Sequence, residues 1–257
     1  MRVLSDAAIN SMRYAGGVLS GALNAVRTGL RAGMTTAEVD QIAEKYITEH
    51  NCTPCFKGVY GYKFACNTSI NEEIIHGVPS PARVLREGDI ITVDAGAGFG
   101  GICTDACRTF AVGKVSAEAK ELISVTQNCF ARAAAAVHAG AEVAVVGRAI
   151  TEYLKGIGGY SVLEEYFGHG IGKTLHEDPL IPNYIPQNSR LRAEARKKFL
   201  ANTAICIEPM VLHGGNKTKL ARDGWTVISA EGALSAHYEN TILITKNGTE
   251  ILTDKYC

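Results

Sequence analysis

The sequence predicts an α+β domain, and three observations lead there. Three segments carry helical periodicity, apolar strand-like runs lie between them, and acidic residues concentrate within or at the ends of those runs. The first helix is announced by Thr35 and Glu38 at capping-box spacing, after which Val39, Ile42, Ala43, Tyr46 and Ile47 share one helical face. A second helix is expected over 117–138, through Leu122, Val125, Cys129, Phe130, Ala133 and Val137, with a stop at Gly140. A third spans 143–157 and ends at Gly158-Gly159. Strand-like runs cover 89–95, 102–112, 203–210 and 237–245, while His169 sits in a glycine-rich turn, GHGIG. A strand pair, then helices, then further strands suggests strand-rich halves packed against helices. With no low-complexity tract, Pro-rich linker or short repeat, residues 1–257 are expected to form a single domain.

Composition narrows the function. The chain has 257 residues, 46% hydrophobic and 20% charged, and its 26 Lys and Arg are balanced by 26 Asp and Glu. Nothing builds the positive field of a DNA-binding or anionic-membrane protein. The start, MRVLSDAAINSMRYAGG, has no signal-peptide core, and no window approaches the ~18 apolar residues of a membrane span. The eight cysteines are expected to be reduced thiols, which points to a cytoplasmic protein. Cys52 and Cys55 form one C-x-x-C pair; without a second pair it does not read as a structural zinc site.

The chemistry concentrates in GDIITVDAGAGFGGICTDACRTF. A two-residue loop at Phe99-Gly100 would set Asp94 directly opposite Asp105, with Cβ atoms ~5 Å apart. Like charges at that spacing repel unless something positive lies between them. The plain alternative is that one Asp starts a turn and the other is solvated. Further along, YFGHGIGKTLHEDP brings His169 and His176, AICIEPMV ends an apolar run on Glu208, and AHYENTILIT opens another at Glu239. A carboxylate in such a run is costly without a partner. Four carboxylates and one imidazole make an oxygen-rich donor set suited to Mn, Fe, Co, Zn or Mg.

In matching order, SMRYAGG, INEEIIHG, the Asp94–Asp105 segment ending in CRTF, GHGIG with HEDP, IEPMV, DGWTV and SAHYENT resemble type I methionine aminopeptidases over nearly the whole chain. The resemblance implies the pita-bread (creatinase/aminopeptidase-like) fold, two pseudo-symmetric αβ halves around a central metal site, in its short bacterial form. It implies two divalent ions, with Asp94 on one, Asp105 and Glu239 bridging both, and His169 and Glu208 completing the second. A hydroxide held between the ions would attack the peptide carbonyl, Glu208 would shuttle the proton, and His76 and His176 would contact the substrate. Cys55, Tyr62, Cys66 and Trp225 match positions of the methionine pocket. The implied substrates are N-termini of nascent polypeptides whose second residue is small, and the implied state is a monomer.

Some positions depart from the family pattern. Leu175 stands where an aromatic residue is expected, Asn240 replaces a His after Glu239, and the stretch from Cys66 to Asn71 is one residue longer than the family pattern. Extra residues, including RLRAEARKK, lie between His176 and Glu208; a solvated helix or loop is the plain reading and a contact with ribosomal RNA the functional one. Two alternatives remain beside methionine removal. One is a proline-directed aminopeptidase or prolidase, which uses the same five ligands but normally carries a large extra N-terminal domain. The other is a non-catalytic binding relative that has lost its metal.

Overall fold

The computed structural model describes residues 1–255. Helices α1 (Asp6–Gly29) and α2 (Thr36–Glu49) open the chain. Strands β1 (Thr53–Pro54), β2 (Cys66–Ile70), β3 (Glu73–Ile75), β4 (Ile90–Phe99) and β5 (Ile102–Ala111) follow, then α3 (Ala117–Ala136) and α4 (Ala144–Ile157). The second half continues with β6 (Tyr160–Val162), β7 (Gly168–Ile171), β8 (Glu177–Ile181), α5 (Ser189–Ala195), β9 (Thr203–Ile207) and β10 (Met210–His213). It closes with β11 (Thr218–Leu220), β12 (Val227–Ser229), β13 (Ser235–His237), β14 (Glu239–Thr245) and β15 (Gly248–Ile251).

The three expected helices form, and α2 carries the full reciprocal capping box between Thr35 and Glu38. Helix α1, 24 residues long, was not expected. Gly16, Gly17 and Gly21 weaken its intrinsic propensity. Burial of Met12, Leu19, Leu23 and Val26 outweighs that deficit, and Ser5 caps the start through the Ala8 N–H. The run 203–210 is two strands, broken at Glu208-Pro209, and the run 237–245 breaks at Tyr238. Both breaks matter, because they release Glu208 and Glu239 from regular pairing on one side.

The main sheet has nine strands in the order β1-β4-β5-β14-β9-β7-β8, with β2 also paired to β4 and β15 to β14. Helices α1 and α2 back one half, where Leu19, Leu23, Val39 and Ile47 share a core with Ile91, Val93 and Ala95. Helices α3 and α4 back the other, where Leu122, Phe130 and Ile150 meet Ile205, Ile242 and Ile244. Each fully buried side chain of this size contributes ~1.5–3 kcal/mol, so both halves hold a substantial core against the sheet. The opposite, inner face of the sheet is left for polar groups.

The central hairpin corrects the expected register. Phe99 pairs with Ile102, so the turn lies at Gly100-Gly101, whose φ values of 58° and 74° suit a type I′ turn. Asp94 therefore faces Cys107, and Asp105 faces Gly96. A slip of two residues keeps every side chain on its own face. The two carboxylates still project from the same face, but as diagonal neighbours.

On the other face of β5, buried Arg108 ties the centre of the molecule together. It donates to the carbonyls of Cys107 (2.9 Å), Glu239 (2.6 Å) and Thr253 (3.1 Å), and to the side chains of Asn240 (2.7 Å) and Asp254 (3.1 Å). Its guanidinium also lies 4.2 Å from the centre of the Tyr238 ring. Asn240 is thus the acceptor that orients this arginine. An Arg108→Met variant leaves several buried carbonyls without a donor, at ~1–3 kcal/mol each. It is expected to lose about 3 kcal/mol or more, read as a lower urea midpoint; an unchanged midpoint would show that the arginine is incidental.

Candidate metal centre

Strand pairing assembles the acidic cluster. Asn67, Asp94, Cys107 and Glu239 form one row across β2, β4, β5 and β14. Asp105 lies two residues along β5 from Cys107, on the same face. Ile207 pairs with Asn240, which brings Glu208, just beyond the end of β9, beside Glu239. Strand β7 adds His169, since Gly170 pairs with Ile205. The five residues expected as ligands thus come together on the inner face.

GHGIG is a buried strand and not a turn, which corrects the expected setting of His169. Its glycines answer to close approach: a Cβ on Gly168 would stand 2.3 Å from the Cys206 carbonyl oxygen, and one on Gly170 2.2 Å from that of Asp178. Only bare backbone lets β7 fit between its neighbours here.

The electrostatics are severe. Burial first, then mutual repulsion with Glu239, Asp94 and Glu208, holds the Asp105 carboxyl well above its usual range. Glu208 and Glu239 are raised for the same reasons. Asp94 is pushed up to about 7 by burial, against the lowering effect of hydrogen bonds to Asn67 and Glu239. Burial drives His169 down to about 3 and His76 to about 4, and it lowers His176, so these rings are neutral near pH 7. The His169 Nδ1–H donates to the Gly170 carbonyl at 3.0 Å, which leaves Nε2 as a free lone pair. That Nε2 lies 3.6 Å from Glu208 Oε1 and 3.9 Å from Asp105 Oδ2.

This donor set fits divalent metal. Asp94 Oδ1, Asp105 Oδ1 and Glu239 Oε1 are buried with no hydrogen-bond partner. Ligand atoms of Asp105, His169, Cys206 and Glu239 all lie within 4.8 Å of one another. Donors ~2.1 Å from a shared ion stand ~3–4 Å apart, the spacing seen around His169. A cation would satisfy the orphaned oxygens and cancel the repulsion that raises the carboxyl pKa values.

A cavity of about 170 Å³ opens beside the cluster. Phe56, Val59, Tyr60, Tyr62, Leu175 and Trp225 form its apolar wall, and His76 and His176 flank the acidic end. The rings of Tyr62 and Trp225 lie 5.2 Å apart, and those of His169 and His176 4.5 Å apart. His76 has φ 60°, a left-handed conformation that costs energy outside glycine and commonly marks working sites.

Two expected pocket residues stand elsewhere. Cys66 alternates away from Asn67 and is buried in the core beneath α2, so Asn67 takes the place on the cavity wall and donates to Asp94 Oδ2 at 3.3 Å. Cys55 packs with Phe56 and Tyr62 outside the lining. The sequence reading also missed Cys206 and His237. Each lies two residues before an acidic residue, Glu208 or Glu239, and the strand period of two was the available signal.

Residues 10–246 match the model of Metallopeptidase family M24. The chain belongs to this family. As an M24 metallopeptidase it is a hydrolase that works with divalent metal. It is 43% identical to the methionine aminopeptidase of Clostridium acetobutylicum over 251 residues, 98% of each chain. It is 38% identical to methionine aminopeptidase 1 of Bacillus subtilis over 242 residues, 94% of each chain. The crystal structure of the Thermotoga maritima methionine aminopeptidase superposes with a TM-score of 0.93 at 36% identity, covering 99% of this chain and 100% of that one. A Pyrococcus furiosus prolidase shares the fold at a TM-score of 0.76 and 21% identity, over 98% of this chain and 65% of that one. The two helix-backed halves around the inner acidic cluster are those of the pita-bread fold.

The pKa shifts give the metal-free protein a defined pH response. Carboxyls raised by folding favour the folded state at low pH, and that contribution is lost as pH rises toward their folded values. Histidines lowered by folding work in the other direction, but only below their unfolded value of ~6.5. The two trends oppose each other below that point; above it the histidine trend ends and the carboxyl trend continues. The buried thiols of Cys66, Cys107 and Cys206, raised by burial, add to it only as pH nears the ordinary thiol range of ~8.5. Chelator-treated protein should therefore melt at a lower temperature at pH 8.5 than at pH 6.5, and excess Mn²⁺ should remove most of the difference. A flat metal-free profile would mean that the carboxylates do not repel as described.

Proposed function

We propose that this chain removes the N-terminal methionine from polypeptides whose second residue is small, and that residues 1–257 act as one catalytic domain. The observation that carries this reading is the apolar cavity of Tyr62, Leu175 and Trp225 ending against the carboxylate cluster. An unbranched, sulfur-containing side chain fits such a wall. Leu175 in place of an aromatic residue leaves one side of the pocket aliphatic.

In this reading Asp94, Asp105, His169, Glu208 and Glu239 would hold the two ions. When bound, the ions would supply Lewis-acid activation of water and charge stabilisation at the scissile carbonyl. Their identity is one of Co, Mn, Fe, Zn or Mg. Glu208 carries the proton to the leaving amine. His76 and His176, neutral because they are buried, each offer an N–H to substrate oxygen. Tyr62, Trp225 and Asn67 shape the side-chain pocket.

The natural substrates are the N-termini of nascent chains, met in the cytoplasm by a monomer. No helix among the described residues is long and apolar enough to cross a membrane. Arg190, Arg192, Arg196, Lys197 and Lys198, on and after α5, are exposed while Leu191 and Ala195 anchor the helix. That basic face is the surface we assign to a transient contact with ribosomal RNA.

Two tests address the chemistry. Chelation should abolish hydrolysis of a Met-Ala-Ser peptide, and Mn²⁺ or Co²⁺ should restore it. Asp105→Ala, which removes a proposed ligand, should not be restored. Activity that survives in metal-free protein, or faster cleavage of an Xaa-Pro peptide than of Met-Ala-Ser, would end this reading. His76→Ala and His176→Ala should bind metal normally yet turn over ~10²–10³ more slowly, the cost of a lost transition-state hydrogen bond of about 3–4 kcal/mol. Wild-type rates in both variants would make these histidines bystanders.

A further inference from the structure

His237 is buried, lies outside the cavity lining, and has no role in the chemistry described so far. Its backbone is held firmly. The N–H donates to Thr109 Oγ1 at 2.9 Å, the Thr109 hydroxyl donates back to the His237 carbonyl at 3.0 Å, and residue 237 pairs with Met210. Its side chain is different, for neither Nδ1 nor Nε2 has a hydrogen-bond partner. A neutral imidazole always carries one N–H, and a buried donor left unpaired costs ~1–3 kcal/mol.

The ring points at Glu208. His237 Nε2 lies 3.8 Å from Glu208 Oε2, while His169 Nε2 lies 3.6 Å from Glu208 Oε1. The carboxylate is therefore flanked by two histidines, one on each oxygen. They differ in what they can offer. His169 spends its N–H on the Gly170 carbonyl and presents a lone pair toward Glu208 and Asp105. His237 has no acceptor at Nδ1, so the tautomer that satisfies its donor is Nε2–H, facing Glu208 Oε2.

We propose that His237 is a positioning residue for Glu208, its Nε2–H aimed at Oε2 across 3.8 Å and donating to it once the carboxylate closes that gap, which leaves Oε1 free for an ion. This rests on the reading of Glu208 as ligand and proton carrier. It gives that carboxylate a fixed rotamer, where a free one would swing between the ion and the neighbouring carboxylates. Partners of this kind behind a ligand typically carry ~10–100-fold in metal affinity or activity.

The test compares His237→Leu, which keeps the bulk and loses the donor, with His237→Gln, which keeps an N–H of similar reach. Three measurements are made on each: stepwise Mn²⁺ binding by calorimetry, kinetics on Met-Ala-Ser, and thermal unfolding of the metal-free protein. His237→Leu should lose ~10–100-fold in affinity for one ion or in kcat, with KM within a few-fold of wild type, and His237→Gln should recover most of that loss. A glutamine variant that unfolds like wild type yet is as impaired as the leucine variant would overturn the donor role, as would wild-type metal binding and kcat in His237→Leu. If the leucine variant does not fold, the glutamine variant still decides: normal metal binding and kcat support the donor role, and impairment in a stably folded protein overturns it. Glu208→Ala is run alongside. If it too binds both ions normally, the ligand assignment has failed; if it loses an ion while His237→Leu does not, only the present inference has.

Discussion

Four carboxyl groups buried on one face of a sheet repel one another, and much of the architecture answers that repulsion. Without a cation, burial and repulsion favour the protonated carboxyls: Asp94 is pushed up to about 7, and Asp105 is held well above its usual range. Placing a positively charged side chain among them would relieve it permanently, but would also fill the space where a substrate must meet water. The nearby arginine is instead on the far face of β5, where Arg108 binds the backbone carbonyl of Glu239 and not its carboxylate. The histidines around the cluster stay neutral because they are buried. Among the described residues these neighbours place no fixed positive charge on the inner face, which leaves a divalent ion as the group that completes it.

Holding the acidic groups in place without neutralising them falls to neutral donors. The Asp105 N–H donates to the Thr241 hydroxyl at 2.8 Å, and that hydroxyl donates back to the Asp105 carbonyl at 2.8 Å, which locks β5 to β14 at the level of the ligands. Asn67 holds one oxygen of Asp94 and leaves Oδ1 bare. The Gly170 carbonyl fixes the tautomer of His169. These contacts are each modest in energy, yet together they keep free lone pairs directed at one small volume.

Much of this was legible in the sequence, and the parts that were not have physical reasons. The capping box of α2 and the apolar periodicity of α3 are local signals, and both elements formed where those signals put them. The long α1 was hidden because its stability comes from packing and not from propensity. The Asp94–Asp105 pairing depended on which two residues make the turn, and several glycines in a row permit more than one answer. Alternation protected the conclusion, since a slip of two residues preserves the face. A slip of one does not: Cys66 and Asn67 are adjacent, only one can reach the cavity, and the one extra residue before Asn71 puts Asn67 there in place of Cys66. GHGIG misled in a different way, because glycine demanded by a close neighbour looks the same in sequence as glycine demanded by a turn.

The two halves of the molecule contribute unequally to the site. The first supplies most of the side-chain wall through Phe56, Val59, Tyr60 and Tyr62, together with Asn67 and His76. The second supplies Glu208, with His169 and His237 at 3.6 and 3.8 Å from its carboxylate, and His176 beside His169. Asp94, Asp105 and Glu239 lie on the adjacent strands β4, β5 and β14, across the β5–β14 pairing where the halves meet. Residue changes in the first half can thus alter which side chain is accepted while leaving the donor set intact. Changes in the second act on metal and proton first. Leu175 crosses that division, since it lines the cavity from the same segment that carries His176. A change there moves the side-chain wall and the histidine beside it together, because the two are consecutive on one short segment.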